Sequence, residues 1–530
     1  MRSPLIRPAI LLWLSIGVFF SGNCNDWALA AESNQRPVKQ ITFALGWEPI
    51  SFYPLRALDS ASYYGQGLVY QGLLKYDHQL KIVPAIAKSF AVTPDGLRYT
   101  FLLKEGVRFN NGSPVAVEDV VQSIKQAKAP DSPYQLDYED ISRVETDGRT
   151  ITLVLSHPCA PLLSRLVELR VMPAAILNLP DHGRNEMSRH PVGSGPFILK
   201  SWESGSELVF EPNPYYDGPV PAYDRLVWKI VPDHSLLALA LKNGEIDVAQ
   251  CESQDWACFL SKTQTSTLRL ERFPGTRTIF LGFNCGKAPF NDVAVRRALS
   301  QAINRQALIE KLYAGYATIA TSDFALSSWV YNEHARRWPY DPPAAEKALE
   351  LAGYEKVGAH WRSKETKEPL AFRIFTVKEY ESIAEAAATD LHKIGILTEV
   401  QLLEFSSLRQ LYLKKGAFQA VVWSRSVGPD PECYLVWHSH GPLNMYRWGD
   451  ARMDKLLELG RRELEPAKRR EYYLDVQTLL SNDLPWLFLV HPDLLLVHNA
   501  QVRNVQEPGQ NRTGLPWDNP LFNAADWIKD

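Results

Sequence analysis

Two histidines two residues apart, His438 and His440 in the segment WHSHG, are the residues whose type and spacing point most directly to metal chemistry. At positions i and i+2 of a strand both imidazoles would face the same way, which suits a transition metal or a metal chelate. In a loop the same pair is a set of solvated or hydrogen-bonded side chains, and a two-ligand spacing has low specificity. The expectation is of no metal centre, with His438 and His440 kept as weak candidates. Arg425, in WSRSVGPDPE (Trp423 to Glu432), could hold a carboxylate or phosphate in a bidentate grip, or could be a solvated surface charge.

Catalysis needs a positioned nucleophile, an acid-base pair or a metal. The chain has no G-x-S-x-G elbow, no H-E-x-x-H helix, no P-loop and no dinucleotide fingerprint, of which Gly65-Gln66-Gly67 is only a fragment. Scattered carboxylates and 12 histidines could still assemble a site in three dimensions, so an exported hydrolase stays as a reading of another class. The expectation is a protein that is not an enzyme and has no cofactor. Cys251 and Cys258 are close enough to bridge a short loop, but their spacing is not that of a zinc site.

The elements that would carry these residues alternate. Strands are expected at Gln40 to Leu45, Tyr99 to Leu103, Thr150 to Leu155, Ala371 to Thr376, Leu397 to Leu403 and Phe418 to Trp423. Helices are expected at Ala61 to Leu74, Val117 to Ala127, Tyr380 to Lys393 and Ser407 to Lys415. Strands alternating with helices of that length favour a mostly parallel sheet covered on both faces. The apolar run Trp486 to Val497, broken by His491-Pro492, is long for one strand and short for a membrane helix.

At 530 residues the chain is too long for one core and suggests about three units. The 57 basic and 60 acidic residues give a net charge of -3, and nothing in that balance argues for nucleic acid. The 15 Trp and 22 Tyr fit buried cores or an aromatic-lined cleft. Arg2 and Arg7, the apolar run Ala9 to Phe20 and Ala28-Leu29-Ala30 make a secretory signal peptide over residues 1–31, cleaved after Ala30 or Ala31. Cys24 invites a lipoprotein reading, weakened by Asn23 where a small residue would be expected. The mature protein is expected in the periplasm, where disulfides are permitted, and the five remaining cysteines leave at least one thiol unpaired.

The stretch PVGSGPFILKSWESGSELVFEPNPYYDGPVPAYDRLVWKIVPDHSLLALALKNGEIDVAQ (Pro191 to Gln250) orders a Gly-rich turn, three strands and a helix. With VYQGLLKYD upstream, FLGFNCGKAPFNDVAVRRALSQAINRQALIEKLYAGYA after it and ARMDKLLELGRRELEPAKRREYYLDVQTLLSNDLPWLFLV near the end, it resembles the family 5 solute-binding proteins of bacterial ABC importers. Several blocks in the right order cover essentially the whole mature chain. The resemblance implies an α/β, two-lobed periplasmic binding protein fold, type II-like, with an extra inserted domain. Lobe I would comprise 38–75, 191–274 and 496–530, the insert 76–190 and lobe II 275–495, with crossings near Phe273 to Thr278 and within Trp486 to Val497.

By the same resemblance, the ligand would meet Trp47 and Glu48, the Gly193-Ser194-Gly195 turn, Lys378, and the loop carrying Trp423, Arg425, Ser426 and Asp430. In peptide-binding relatives an Asp shortly after the tryptophan pairs with the ligand's α-amino group; the nearest position here is Ser426, with Arg425 beside it, which puts a free-amine peptide in doubt. The implied function is an exported, monomeric component that binds peptides or peptide-like solutes between its lobes and delivers them to the permease subunits of an ABC transporter. Nickel, a metal chelate or an opine-like solute is the alternative ligand.

Overall fold

A computed structural model describes residues 38–56, 59–179, 186–251, 267–505 and 516–529. The signal-peptide segment, Cys24 and Cys258 lie outside the described residues, so the expected cleavage, lipidation and Cys251–Cys258 bridge have no structural counterpart here.

The strand Gln40–Leu45 (QITFAL) is buried over five of its six residues, as an inner strand must be. It lies at the middle of a seven-stranded sheet in the order Leu268–Phe273, Leu494–Asn499, Val248–Cys251, Gln40–Leu45, Arg225–Ile230, Glu207–Pro212, Phe197–Glu203. The helix Ser60–Val69, capped by Asp59 accepting from the Ser62 N–H, packs on it. There Gly65 has no room for a side chain, since a Cβ would stand 2.8 Å from the Phe52 ring. Phe43, Phe52, Trp228 and Trp527 fill the core beneath.

A second sheet has six strands in the order Ala317–Ile319, Trp486–Pro492, Arg277–Phe283, Ala420–Ser426, Ala371–Thr376, Leu397–Leu402. The helices Val293–Ala302 and Glu381–Lys393 contribute buried faces to one of its two cores, and Ala451–Arg462 and Pro466–Asp483 contribute to the other. A separate antiparallel sheet of four strands, Ala87–Val92, Arg98–Leu103, Thr150–Leu155 and Ile141–Asp147, has its own core with Val120, Ile124, Leu162 and Leu166. That core ends near Val171; Met172, Leu177 and Met187 already pack into the core of the first sheet, earlier than the boundary at 190 expected from the sequence.

The sheets are mixed, not mostly parallel. In the first, Gln40–Leu45 is parallel to both neighbours and every other pairing is antiparallel; in the second, Ala371–Thr376 is parallel to both neighbours and the rest are antiparallel. Tight turns such as Ser204-Gly205-Ser206 can only reverse the chain, and strands arriving from the other lobe run against those already there. The expected helix Ser407–Lys415 is instead one α-turn, Phe405–Ser407, continued by a π-helical stretch, Leu408–Leu413.

The chain crosses between the two large sheets at Pro274-Gly275-Thr276 and again at Asp493, which divides the expected single run into Trp486–Pro492 in one sheet and Leu494–Asn499 in the other. The second crossing thus joins the first sheet from Leu494, two residues before the expected boundary. The crossings touch: a Cβ on Gly275 would fall 1.9 Å from the Pro492 carbonyl oxygen, and Thr278 Oγ1 lies 3.1 Å from His491 Nδ1. No helix among the described residues is long and apolar enough to cross a membrane.

Candidate functional site

Two adjoining cavities lie between the sheets. The smaller, about 440 Å³, is walled by Tyr63 and Tyr64 of the helix Ser60–Val69, by Tyr134, Tyr138 and Glu168 of the inserted unit, and by the loop from Ser426 to Glu432. The larger, about 720 Å³, lies against the crossings and is lined by Trp47, His234, Arg277, Tyr380, Pro492 and Asp518. Ser60, Tyr64, Ser426 and Trp517 line both.

Trp517 is the partition. Its indole N–H donates to Glu168 Oε1 at 3.4 Å, its ring meets Tyr63 edge-on at 6.3 Å between centroids, and a Cβ on Gly428 would stand 2.4 Å from its Cζ2. Only glycine at 428 lets the loop of the second lobe come this close. Trp517 and Asp518 both have a φ of 55°, a left-handed conformation that costs a non-glycine residue of order 1 kcal/mol or more. Part of the compensation is on Asp518, whose Oδ1 accepts the Thr276 N–H at 2.7 Å. Burial nevertheless pushes its carboxyl above the usual range.

The smaller chamber is rich in charge. Arg165 Nε stands 3.4 Å from Asp137 Oδ1 and its Nη2 is 3.6 Å from Glu432 Oε2, which links the inserted unit to the second lobe. Arg461 repeats the link, reaching Glu139 Oε1 at 3.2 Å and donating to the Leu136 carbonyl at 3.1 Å, while the Ala160 N–H donates to the Arg461 carbonyl at 2.9 Å. Asp430 receives two bonds from Arg469, at 2.6 and 2.7 Å. Burial raises the carboxyls of Asp137 and Glu168, against the pull of Arg165 and Arg170 respectively.

The structure distributes the sequence candidates widely. Trp47 lines the larger chamber, Asp430 the smaller and Ser426 both. Glu48 lines neither and accepts from Trp202 Nε1 at 2.8 Å and from the Gly205 N–H at 3.2 Å. Gly193 and Ser194 form a packing turn, with a Cβ on Gly193 only 2.2 Å from the Val69 carbonyl oxygen and Ser194 buried. Lys378, in a short turn before the helix Glu381–Lys393, pairs with Glu381 and is 86% exposed along its side chain. Trp423 packs on Phe405 and Tyr380 at 5.3 and 6.3 Å between ring centroids, outside both cavities.

Arg425 is engaged by the fully buried carboxylate of Asp323, which also accepts from Trp437 Nε1 at 2.8 Å. Its charge is thereby answered within the lobe, and it lines neither chamber. His438 and His440 follow the single helical turn Tyr434–Trp437 instead of lying on a strand, because the chain has left the sheet after Ser426. Together with Asp454 they place three ligand atoms within 4.8 Å of one another. The His440 N–H donates to His438 Nδ1 at 3.1 Å, however, which holds the neutral ring's proton on Nε2, 3.9 Å from Asp454 Oδ1. A metal at Nε2 would displace that proton and break the bond at Nδ1.

Sequence reasoning missed Tyr63, Glu168, Arg277 and Trp517. Trp517 follows a segment with no periodicity, and Glu168 ends a helix whose apolar face reads as plain core; neither carries a local signal. Among the described residues Cys159, Cys285 and Cys433 are free thiols.

Two sheets joined by two crossings, with a cleft between them, is an architecture shared by many binding proteins. The description Bacterial extracellular solute-binding proteins, family 5 Middle, matches residues 81–446. The chain belongs to this family. Similar curated family 5 proteins include the glutathione-binding protein GsiB of Salmonella paratyphi A, 27% identical over 479 residues, which cover 88% of this chain and 91% of GsiB. Among solved structures, DppA from Helicobacter pylori in complex with the peptide STSA is 26% identical with a TM-score of 0.77, over 91% of this chain and 97% of DppA. NikZ from Campylobacter jejuni in complex with Ni(L-His), at 24% identity and a TM-score of 0.81 over 93% and 100%, shares the fold. This family 5 protein is accordingly a solute-binding protein, and its family consists of binding proteins rather than enzymes.

Proposed function

We propose that this solute-binding protein is exported to the periplasm, takes a peptide or peptide-like solute into its two-chambered cleft, and delivers it to the permease of an ABC importer as a monomer. The observation that carries the reading is the pair of joined chambers lined from both lobes, about 440 and 720 Å³, whose different linings suit a solute with different groups at its two ends. Ligand contacts to both lobes would stabilise the closed form, which is the form a transporter can recognise. A metal chelate is supported less, since His234 is the one histidine among the described residues lining either chamber.

Native mass spectrometry of protein released from the periplasm tests this directly. A co-purifying mass that fragments as a short peptide or a glutathione-like compound is expected, with a mature chain beginning at Ala31 or Glu32. A nickel-containing mass, or chemical turnover of the bound solute, would sink the reading.

A further inference from the structure

The smaller chamber is electrostatically lopsided. Asp59, Asp137, Glu168, Asp430 and Glu432 line it against Arg165 and Arg170, a formal excess of three negative charges. Most of these carboxylates are already engaged. Asp430 is held by Arg469 in two bonds, while Asp137 and Glu432 face Arg165, with Arg461 also 3.8 Å from Glu432.

Glu168 is different. Its Oε2 is buried without a hydrogen bond, and the nearest cation, Arg170 Nη2, stands 3.7 Å away, beyond hydrogen-bond reach. It is also the last residue of the helix Leu162–Glu168, where a carboxylate faces the negative end of the helix dipole. Trp517 and Tyr63 both hydrogen-bond to this carboxyl, but an Oε2 that is buried, at the unfavourable end of its helix and without a donor of its own is a place where a ligand can supply what is missing. The Oδ2 of Asp59 lies in the same chamber and is likewise buried without a partner.

Around these oxygens the wall is aromatic: Tyr63, Tyr64, Tyr76, Tyr134, Tyr138 and Trp517. Aromatic faces attract cations through their quadrupoles, and Arg170 already sits 5.3 Å from the centroid of Tyr63. A cavity that combines excess carboxylate with a cage of rings complements one chemical group in particular.

We infer that the smaller chamber is a subsite for an ammonium group of the solute, with Glu168 as its anchoring carboxylate. The inference rests on the cleft being the solute site and narrows the solute to one carrying a cationic nitrogen at one end. The remainder of the molecule passes Ser426 and Trp517 into the larger chamber.

Calorimetry with trialanine, N-acetyl-trialanine and spermidine, on the wild-type protein and on Glu168→Gln, tests it. Trialanine is expected to bind the wild type at least tenfold more tightly than its acetylated form. Glu168→Gln is expected to lose at least tenfold in affinity for trialanine and to bring the ratio of the two peptides near one, with an unchanged thermal unfolding midpoint showing that the fold is kept. The acetylation comparison uses wild-type protein only, so it stands even if the variant folds poorly. Equal binding of both peptides overturns the inference while the peptide reading survives. Binding of spermidine alone supports the ammonium subsite and removes the peptide reading. An unaltered selectivity ratio in Glu168→Gln, or no binding of any of the three compounds, overturns the inference.

Discussion

In the larger chamber the facing walls are continuous with the strands that cross between lobes, whereas in the smaller one they meet through side chains that start on separate elements. Pro492, Asp493 and Leu494 line the larger chamber and are themselves the crossing, so the separation of its walls is fixed mostly by covalent geometry and by the Gly275–Pro492 approach. The smaller chamber is bridged by side chains: Arg165 to Glu432, Arg461 to Glu139, and Trp517 against Gly428, the last beside the first crossing, where Asp518 and Val427 both bond to Thr276. Opening the cleft therefore disturbs the smaller chamber most. If the cleft closes over a solute as proposed, recognition placed there would be coupled to closure, while contacts in the larger chamber would position a solute with less leverage on the motion.

The largest expected effect lies just outside both chambers. Asp323 is fully buried and pairs with Arg425, so Asp323→Asn leaves a largely buried guanidinium without its counter-charge. Breaking a buried pair from one side costs about 3–5 kcal/mol, which chemical denaturation would read as a large fall in midpoint. A change under about 1 kcal/mol would mean that Arg425 can swing to solvent, and would return it to the list of cleft residues.

How much of this the sequence disclosed depends on whether the signal is local. Gln40–Leu45, Thr150–Leu155 and Ala371–Thr376 are found with the bounds expected, because a short apolar or β-branched run between turn residues is its own signature. Strand direction is not local: the two halves of Trp486 to Val497 read alike yet belong to different sheets. The site follows the same division. The glycines at 193 and 195 read as a turn with ligand contact by resemblance, whereas both stand against the Val69 backbone, a partner that no sequence feature names. Arg425 was unreadable because the carboxylate that answers it is 102 residues away along the chain.

The crossing has its own pH signature. His491 is buried beside Thr278 and the Arg277 carbonyl, and burial pulls its imidazole down to about 4 from 6.5. Between those values the unfolded chain binds more protons than the folded one. This contribution to stability is present in full above pH 6.5 and declines as the pH falls toward 4, by about 3 kcal/mol in all. Unfolding free energies measured from pH 7 to 4 should fall less steeply in His491→Gln than in the wild type. Parallel slopes would remove the crossing from the acid response and leave it to the carboxylates.

Gly275→Ala probes the same region sterically. With a Cβ 1.9 Å from the Pro492 oxygen, one crossing must move off the other, and overpacking of this kind costs about 2 kcal/mol. If closure depends on the crossings keeping contact, solute affinity should fall together with stability. A variant that is destabilised yet binds as the wild type does would show that the larger chamber tolerates a shifted hinge.

The smallest expected effect tests the other half of the comparison. Arg461 bridges from the second lobe to Glu139 and to the Leu136 carbonyl of the inserted unit, with its own side chain 11% exposed and that of Glu139 44% exposed. Such a half-exposed pair contributes about 1 kcal/mol or less once screening is counted. A double-mutant cycle with Arg461→Ala and Glu139→Ala should therefore give a coupling of that size. The scattering radius of the unliganded protein should increase in Arg461→Ala, and added solute should restore it, because the ligand replaces the missing contact between lobes. No change in radius would mean that Trp517 against Gly428 is sufficient to keep the chamber closed. In that case Trp517→Ala, which removes the partition as well as the contact, becomes the variant that separates closure from recognition.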